Sequence, residues 1–208
     1  MSPAPAAPPA SALSALAAAL RDEGGLPPGV VRDPGPAADP VLGAAVAAGP
    51  RTAVVGPALA LAAEATREAE LLHHAPEHAR VVATDDRDLA LLAGDRLYAL
   101  GLERLADGGW TDEVAILADI VALVARLHAP DAFAIGAARD GVPAGGTGDP
   151  DVAAARTADL WAAAAAALGQ GAGSPAARLL RDASTGAIPD PDALRAAATA
   201  PRDGSPRA

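Results

Sequence analysis

The sequence predicts an all-α fold in a single helical domain, and three observations carry that reading. Ala and Leu dominate a hydrophobic content of 51%. Both favour helices, whereas the β-branched and aromatic residues that fill strands are sparse. Apolar residues recur at three- and four-residue spacing, and no stretch of useful length alternates with the period of a strand. Aromatic residues make up only 2% of the chain, so a core must come from close packing of small side chains on helices. At 208 residues the chain is long enough for one domain with a real core.

The elements follow in order. Residues 1–10 are rich in Pro and Ala and are expected to be disordered. A short helix is expected over 11–21, then a Gly- and Pro-containing loop over 24–40. A second short helix covers 41–48. A longer one runs from Thr52 or Pro57 to His73, carrying Leu59, Leu61, Leu71 and Leu72 among Glu64, Arg67, Glu68 and Glu70. Pro76 interrupts it. Asp85, Asp86 and Asp88 place acids at the start of the next helix, as the helix dipole prefers. Gly108-Gly109 ends that helix.

Thr111 is the expected cap of the following helix, with a core stripe of Val114, Leu117, Ile120, Val121, Val124 and Leu127. Residues 135–150 read as a Gly-rich connection. Asp149-Pro150-Asp151 is a strong helix start, and that helix runs to Gly169. A further helix is expected over 175–182, and residues 189–198 read as weakly helical with a disordered tail after them. The domain is thus assigned to residues 11–185, with 186–208 as a weakly structured C-terminal tail.

The segment 91–106, LLAGDRLYALGLERLA, is apolar almost all round. At about 100° per residue, Leu91, Asp95, Tyr98, Leu102 and Leu105 share one stripe. Asp95 is therefore expected to be buried and to need a partner on a neighbouring helix, because an unpaired carboxylate in a core is costly. Gly94 is expected to let that neighbour come close, at roughly 1 kcal/mol of helix propensity.

The net charge of −10 argues against nucleic acid as the main partner, since little here would neutralise a row of phosphates. All basic residues are Arg. The absence of Cys excludes disulfides, thiol nucleophiles and Cys-ligated metals, and fits the cytoplasmic location expected for the chain. The N-terminal stretch has no basic region before its apolar run and is not read as a signal peptide. No segment offers about 18 strongly apolar residues in a row, so no membrane span is expected.

Three passages resemble the polyprenyl diphosphate synthases, the trans-prenyltransferases of the all-α isoprenoid synthase fold. AEATREAELLHHA at 63–75 is similar to the family helix that leads into the first Asp-rich motif. LLAGDRLYA at 91–99 resembles the family's Gly-Asp helix. AAARTADLWAAAAAALGQGAG at 153–173 resembles its Lys-Thr helix. The resemblance spans about residues 55 to 173. It implies a truncated isoprenoid-synthase-like bundle. It also implies that Arg156 and Thr157, at the Lys-Thr position, and Arg80, in the basic segment, would contact diphosphate.

The departures shape the functional expectation. The family holds Mg²⁺ on two Asp-rich motifs, and Mg²⁺ requires hard oxygen ligands. This chain has His74-Ala75-Pro76-Glu77-His78 at the first motif and SPAARLLRDASTGAIPDPD in place of the second. Imidazole suits Zn or Cu rather than Mg. His73, His74 and His78 are spaced for one helix face, but Pro76 breaks it and no further ligands stand out, so no metal site and no catalytic residue is assigned. Mg²⁺ would enter only through a catalytic partner. The expectation is a non-catalytic or regulatory subunit that forms a homo- or hetero-oligomer with a catalytic polyprenyl diphosphate synthase. The helices over 91–106 and 111–128 are its candidate interface. A helical adaptor without isoprenoid chemistry and an enzyme of altered chemistry using the His and Asp85–Asp88 clusters are the alternatives.

Overall fold

A computed structural model describes residues 11–35, 41–129 and 150–200. The described residues are helical apart from connections and one isolated antiparallel bridge between Val31 and Val82. The expected all-α class is what the chain adopts. The expected disordered segment 1–10 and the Gly-rich connection over 135–149 lie outside the described residues.

Helix α1 (Ala12–Glu23) starts where the Ser11 side chain accepts from the Ser14 N–H and stops at Gly24, whose φ of +68° suits glycine. Its buried face is Leu13, Leu16, Ala17 and Leu20, the three- and four-residue spacing of one helix side. The short α2 (Val41–Ala47) and α3 (Thr52–Val55) follow. Of the two starts expected for the helix ending at His73, Thr52 or Pro57, the structure takes the second for the long helix and makes a separate short helix of the first. Gly56, at φ +82°, and Pro57 end α3 and begin α4 (Ala58–His74). Pro76 then forces a single 3₁₀ turn, Pro76–His78.

Helix α5 (Arg87–Asp107) is capped by Asp86, whose carboxylate accepts from the Asp88 and Leu89 N–H groups. Helix α6 (Thr111–Leu127) begins one residue earlier than expected. Trp110 holds the capping position without a side-chain bond, and Thr111 is inside the first turn. Helices α7 (Pro150–Gln170), α8 (Pro175–Thr185) and α9 (Pro191–Thr199) complete the bundle. Ser174 and Asp190 cap the last two.

The weakly structured tail assigned from residue 186 needs correction. Asp190-Pro191-Asp192 repeats the Asp-Pro-Asp sequence of residues 149–151, and α9 packs on α7 through buried Leu194 and Ala197. Arg195 reinforces the contact with an ion pair to Asp159 at 2.6 Å. The packed domain therefore runs to residue 199.

Two apolar clusters share α4. One joins α4 to α6, α7, α8 and α9 around Leu59, Ile116, Leu117, Ile120 and Leu160. The other joins α4 to α1, α5 and residues 79–82 around Leu16, Leu72, Val81 and Leu97. Helix α4 is consequently the centre of the fold, in contact with α1, α2, α5, α6 and α7.

Helix α5 also corrects the sequence reading. Its buried stripe is Ala90, Ala93, Gly94, Leu97, Leu100, Gly101 and Leu105. Asp95 lies on the opposite side with its side chain 71% exposed. Small residues set the phase because they let α4 approach. A Cβ at Gly94 would overlap the His73 ring, and one at Gly101 would sit 3.1 Å from the Ala62 carbonyl oxygen. The closest approach of two backbones, rather than the largest side chains, decided which face went inward. Gly94 keeps the role expected of it. Asp95 still meets α4, 3.3 Å from His73 Nε2, but at the surface.

Candidate functional site

Helix α4 carries four ionised-type side chains within seven residues, Glu64, Arg67, Glu68 and Glu70. The three Glu residues are 0%, 0% and 3% exposed. Charges this deep require partners, and each has them. Glu64 and Glu68 stand four apart on one face. That face looks toward residues 79–82, an extended segment that crosses the core with Ala79, Val81 and Val82 all buried.

An extended segment in a helical core has backbone donors with no ladder to enter. Glu68 supplies the acceptor. Its Oε1 accepts from the N–H groups of Arg80, Val81 and Val82 at 2.7, 2.6 and 3.1 Å. Its Oε2 accepts from Arg80 Nε at 3.2 Å. On the segment's other side, Arg32 N–H donates to the Val81 carbonyl and Ala83 N–H to the Val30 carbonyl, both at 2.9 Å. Arg80 Nη1 reaches Glu64 Oε2 at 2.9 Å, and Glu64 Oε1 accepts from the Gly43 N–H of α2 at 2.7 Å. Burial pushes the Glu64 carboxyl above its ordinary pKa, and Arg80 opposes that shift.

A second relay runs toward the C-terminus of α4. Arg67 donates to Glu70, and Glu70 Oε1 lies 3.1 Å from Nε2 of His128 at the end of α6. The His128 ring stacks on His74, with centroids 3.8 Å apart and planes 8° from parallel. Burial of the inner side of the His74 ring, and the His128 ring against it, lower the His74 pKa to about 4. Burial and His128 thus favour a neutral imidazole at His74, against the opposing charge of Glu70. The Arg67 guanidinium also lies over the Trp161 ring of α7, 5.5 Å from its centroid.

The expected diphosphate contacts fare differently. Arg80 is 13% exposed and is held by Glu64 and Glu68. Arg156 and Thr157 diverge on α7: Thr157 is 3% exposed and turned into the core, while Arg156 is half-buried. Asp159, three residues after Arg156 on the same helix, pairs with Arg195. His73 takes the ion pair with Asp95 and an edge contact with Tyr98 at 5.4 Å, whereas His78 is 73% exposed beside Glu77. Among the described residues no three His, Asp or Glu side chains converge as a metal site would require. Asp86 is spent as a cap.

The sequence reading named Glu64, Arg67, Glu68 and Glu70 only as members of a helix and did not connect them to His128. One pattern pointed to them. Ala60, Glu64, Glu68 and Leu72 fall on one face, so two carboxylates stand in an otherwise apolar row. Nothing local pointed to Arg80 as their counter-charge.

No family model, no curated protein and no solved structure matches the chain.

Proposed function

We propose that the chain is a non-catalytic subunit on a polyprenyl diphosphate synthase-like frame, acting in isoprenoid biosynthesis by modulating a catalytic synthase. One observation carries this reading. Every carboxylate on the central helix is committed inside the protein: Glu64 and Glu68 to Arg80 and backbone N–H groups, Glu70 to Arg67 and His128. Where the resemblance sets the first Asp-rich motif, the helix ends and a 3₁₀ turn bears Glu77 and His78 outward. Arg80, the cation the resemblance offers to diphosphate, serves those same carboxylates.

In this reading the Asp-rich ligands and Mg²⁺ belong to the partner, and this chain contributes a rigid helical face. The outer side of α5 is the proposed contact. Leu92 stands 67% exposed there, an apolar side chain that burial against a partner would stabilise by roughly 1.5–3 kcal/mol.

The test is turnover of an allylic diphosphate with isopentenyl diphosphate and Mg²⁺. The protein is assayed alone and then mixed with the full-length synthase of the same genome. The expected result is no product alone and a changed rate or product length in the mixture, lost in Leu92→Arg. Product formed by the protein alone overturns the non-catalytic assignment. No effect in the mixture leaves the helical adaptor as the better reading.

A further inference from the structure

Between α2, α4, α7 and α9 lies an open-sided cleft of about 360 Å³. Its walls are mostly small: Ala45, Ala158 and Ala162 are among them, and they leave the space hollow. The polar side chains that line it are Arg67, Arg80 and Trp161. All three side chains carry N–H donors and no acceptor atom, and Arg67 and Arg80 already pair with carboxylates of α4. A molecule entering this cleft must therefore bring the acceptor.

Two details sharpen that requirement. Arg67 donates to Glu70 and lies over Trp161. A guanidinium has five N–H groups in a fork suited to a carboxylate, and the Arg67 side chain is 25% exposed. Trp161 is only 5% exposed, and its indole N–H has no acceptor. An unsatisfied buried donor of this kind costs about 1–3 kcal/mol. Burial lowers the Arg67 pKa, and the nearby Arg80 charge adds to the effect despite the opposing Glu70. A negative charge arriving at the cleft offsets that cost at Arg67.

The surrounding charge limits how much negative charge the cleft accepts. Arg80 already faces Glu64 and Glu68, and Arg67 faces Glu70. Three carboxylates beside two guanidiniums repel a polyanion. We propose that this cleft binds a small monocarboxylate with an apolar or aromatic body. Its carboxylate accepts from Arg67 while its body lies against Trp161 and the Ala walls. A diphosphate, with its higher charge, is disfavoured at this site. The assignment concerns this chain's own ligand and does not depend on its being a synthase subunit.

The experiment is a titration of the full chain with benzoate, followed by the Trp161 indole N–H resonance and the amides of 158–165. Benzyl alcohol and pyrophosphate are titrated in parallel. The expected result is a saturable shift with benzoate that is weaker with both comparison ligands. Arg67→Gln weakens benzoate by about tenfold, the size of one charge-assisted hydrogen bond. Ala162→Leu fills the cleft from an exposed wall position and abolishes binding with helical content unchanged. If Arg67→Gln does not fold, Ala162→Leu decides. No saturable shift, an equal response to benzyl alcohol, a stronger response to pyrophosphate, or unchanged binding in Ala162→Leu would overturn the proposal.

Discussion

Helices α4 and α5 pack along each other, yet they treat charge in opposite ways. Helix α4 buries Glu64, Glu68 and Glu70 almost completely. Helix α5 puts Asp95 and Glu103 at the surface, where Asp95 faces His73 and Arg96 pairs with Glu103 and with Glu23 at the end of α1. The difference lies in the surroundings. Helix α4 is surrounded by other helices, so the carboxylates it buries must find partners inside. Helix α5 is covered mainly by α4 and α6 and keeps one side for water. A polar residue is buried by its neighbours, and its own helix's hydrophobicity is a poor guide to that. The lesson orders the substitutions below by how completely each group is enclosed.

The largest effect is expected at Glu68. Its truncation in Glu68→Ala strands the N–H groups of Arg80, Val81 and Val82 and one arm of Arg80 in the core. Breaking a buried pair in this way costs about 3–5 kcal/mol, because the partners left behind have no water. That is a large part of a typical domain stability of about 5–15 kcal/mol. Urea unfolding should show a marked fall in midpoint, with Glu68→Gln between the variant and wild type because its amide oxygen still accepts. A loss below about 1 kcal/mol would mean that residues 79–82 are held by apolar contacts alone, and the contrast with α5 would collapse.

A middle effect is expected where the two helices touch. Gly94→Ala places a methyl group on the His73 ring, with the Ala69 carbonyl oxygen 3.2 Å away behind it. Overpacking of this kind costs about 1–3 kcal/mol. The gain in helix propensity offsets roughly 1 kcal/mol, and His73 can turn aside. The net expectation is a loss of about 1–2 kcal/mol in thermal unfolding, with a change in the His73 ring resonances. A stabilised Gly94→Ala would show that α4 and α5 stand farther apart than this packing requires.

How much of this was legible in the sequence follows from the range of each interaction. Caps and stops are local, so the starts expected near Ser11, Asp86 and residue 175 are real and Pro76 is a real stop, whereas the equally local cap at Asp190 was passed over. The phase of α5 was misread because periodicity weights large side chains, whereas its packing face is built on Ala93, Gly94 and Gly101. The tail beyond residue 186 was undervalued for a related reason: α9 holds on through Leu194, the small Ala197 and a distant Asp159. The carboxylate network was hidden because Arg80 lies in an extended segment without periodicity, 12 residues from Glu68. Arg156 and Thr157, adjacent in sequence, were read as one contact, but successive residues on a helix face different ways. One of the two is in the core.

The smallest effect is expected at Asp95, and it tests the comparison most directly. The sequence reading put this carboxylate in the core; the fold puts it outside, beside His73 across a gap of 3.3 Å. Exposed ion pairs contribute about 0–1 kcal/mol, and salt weakens them. Asn and Asp have similar helix propensity, so Asp95→Asn isolates the charge. Its stability should fall by less than about 0.5 kcal/mol at neutral pH. The difference from wild type should shrink further in about 1 M salt, where screening acts within about 3 Å. A loss above about 2 kcal/mol, insensitive to salt, would mean that Asp95 is enclosed after all. The packing face of α5 would then have to turn by roughly half a revolution, and Gly94 would no longer be the point of closest approach.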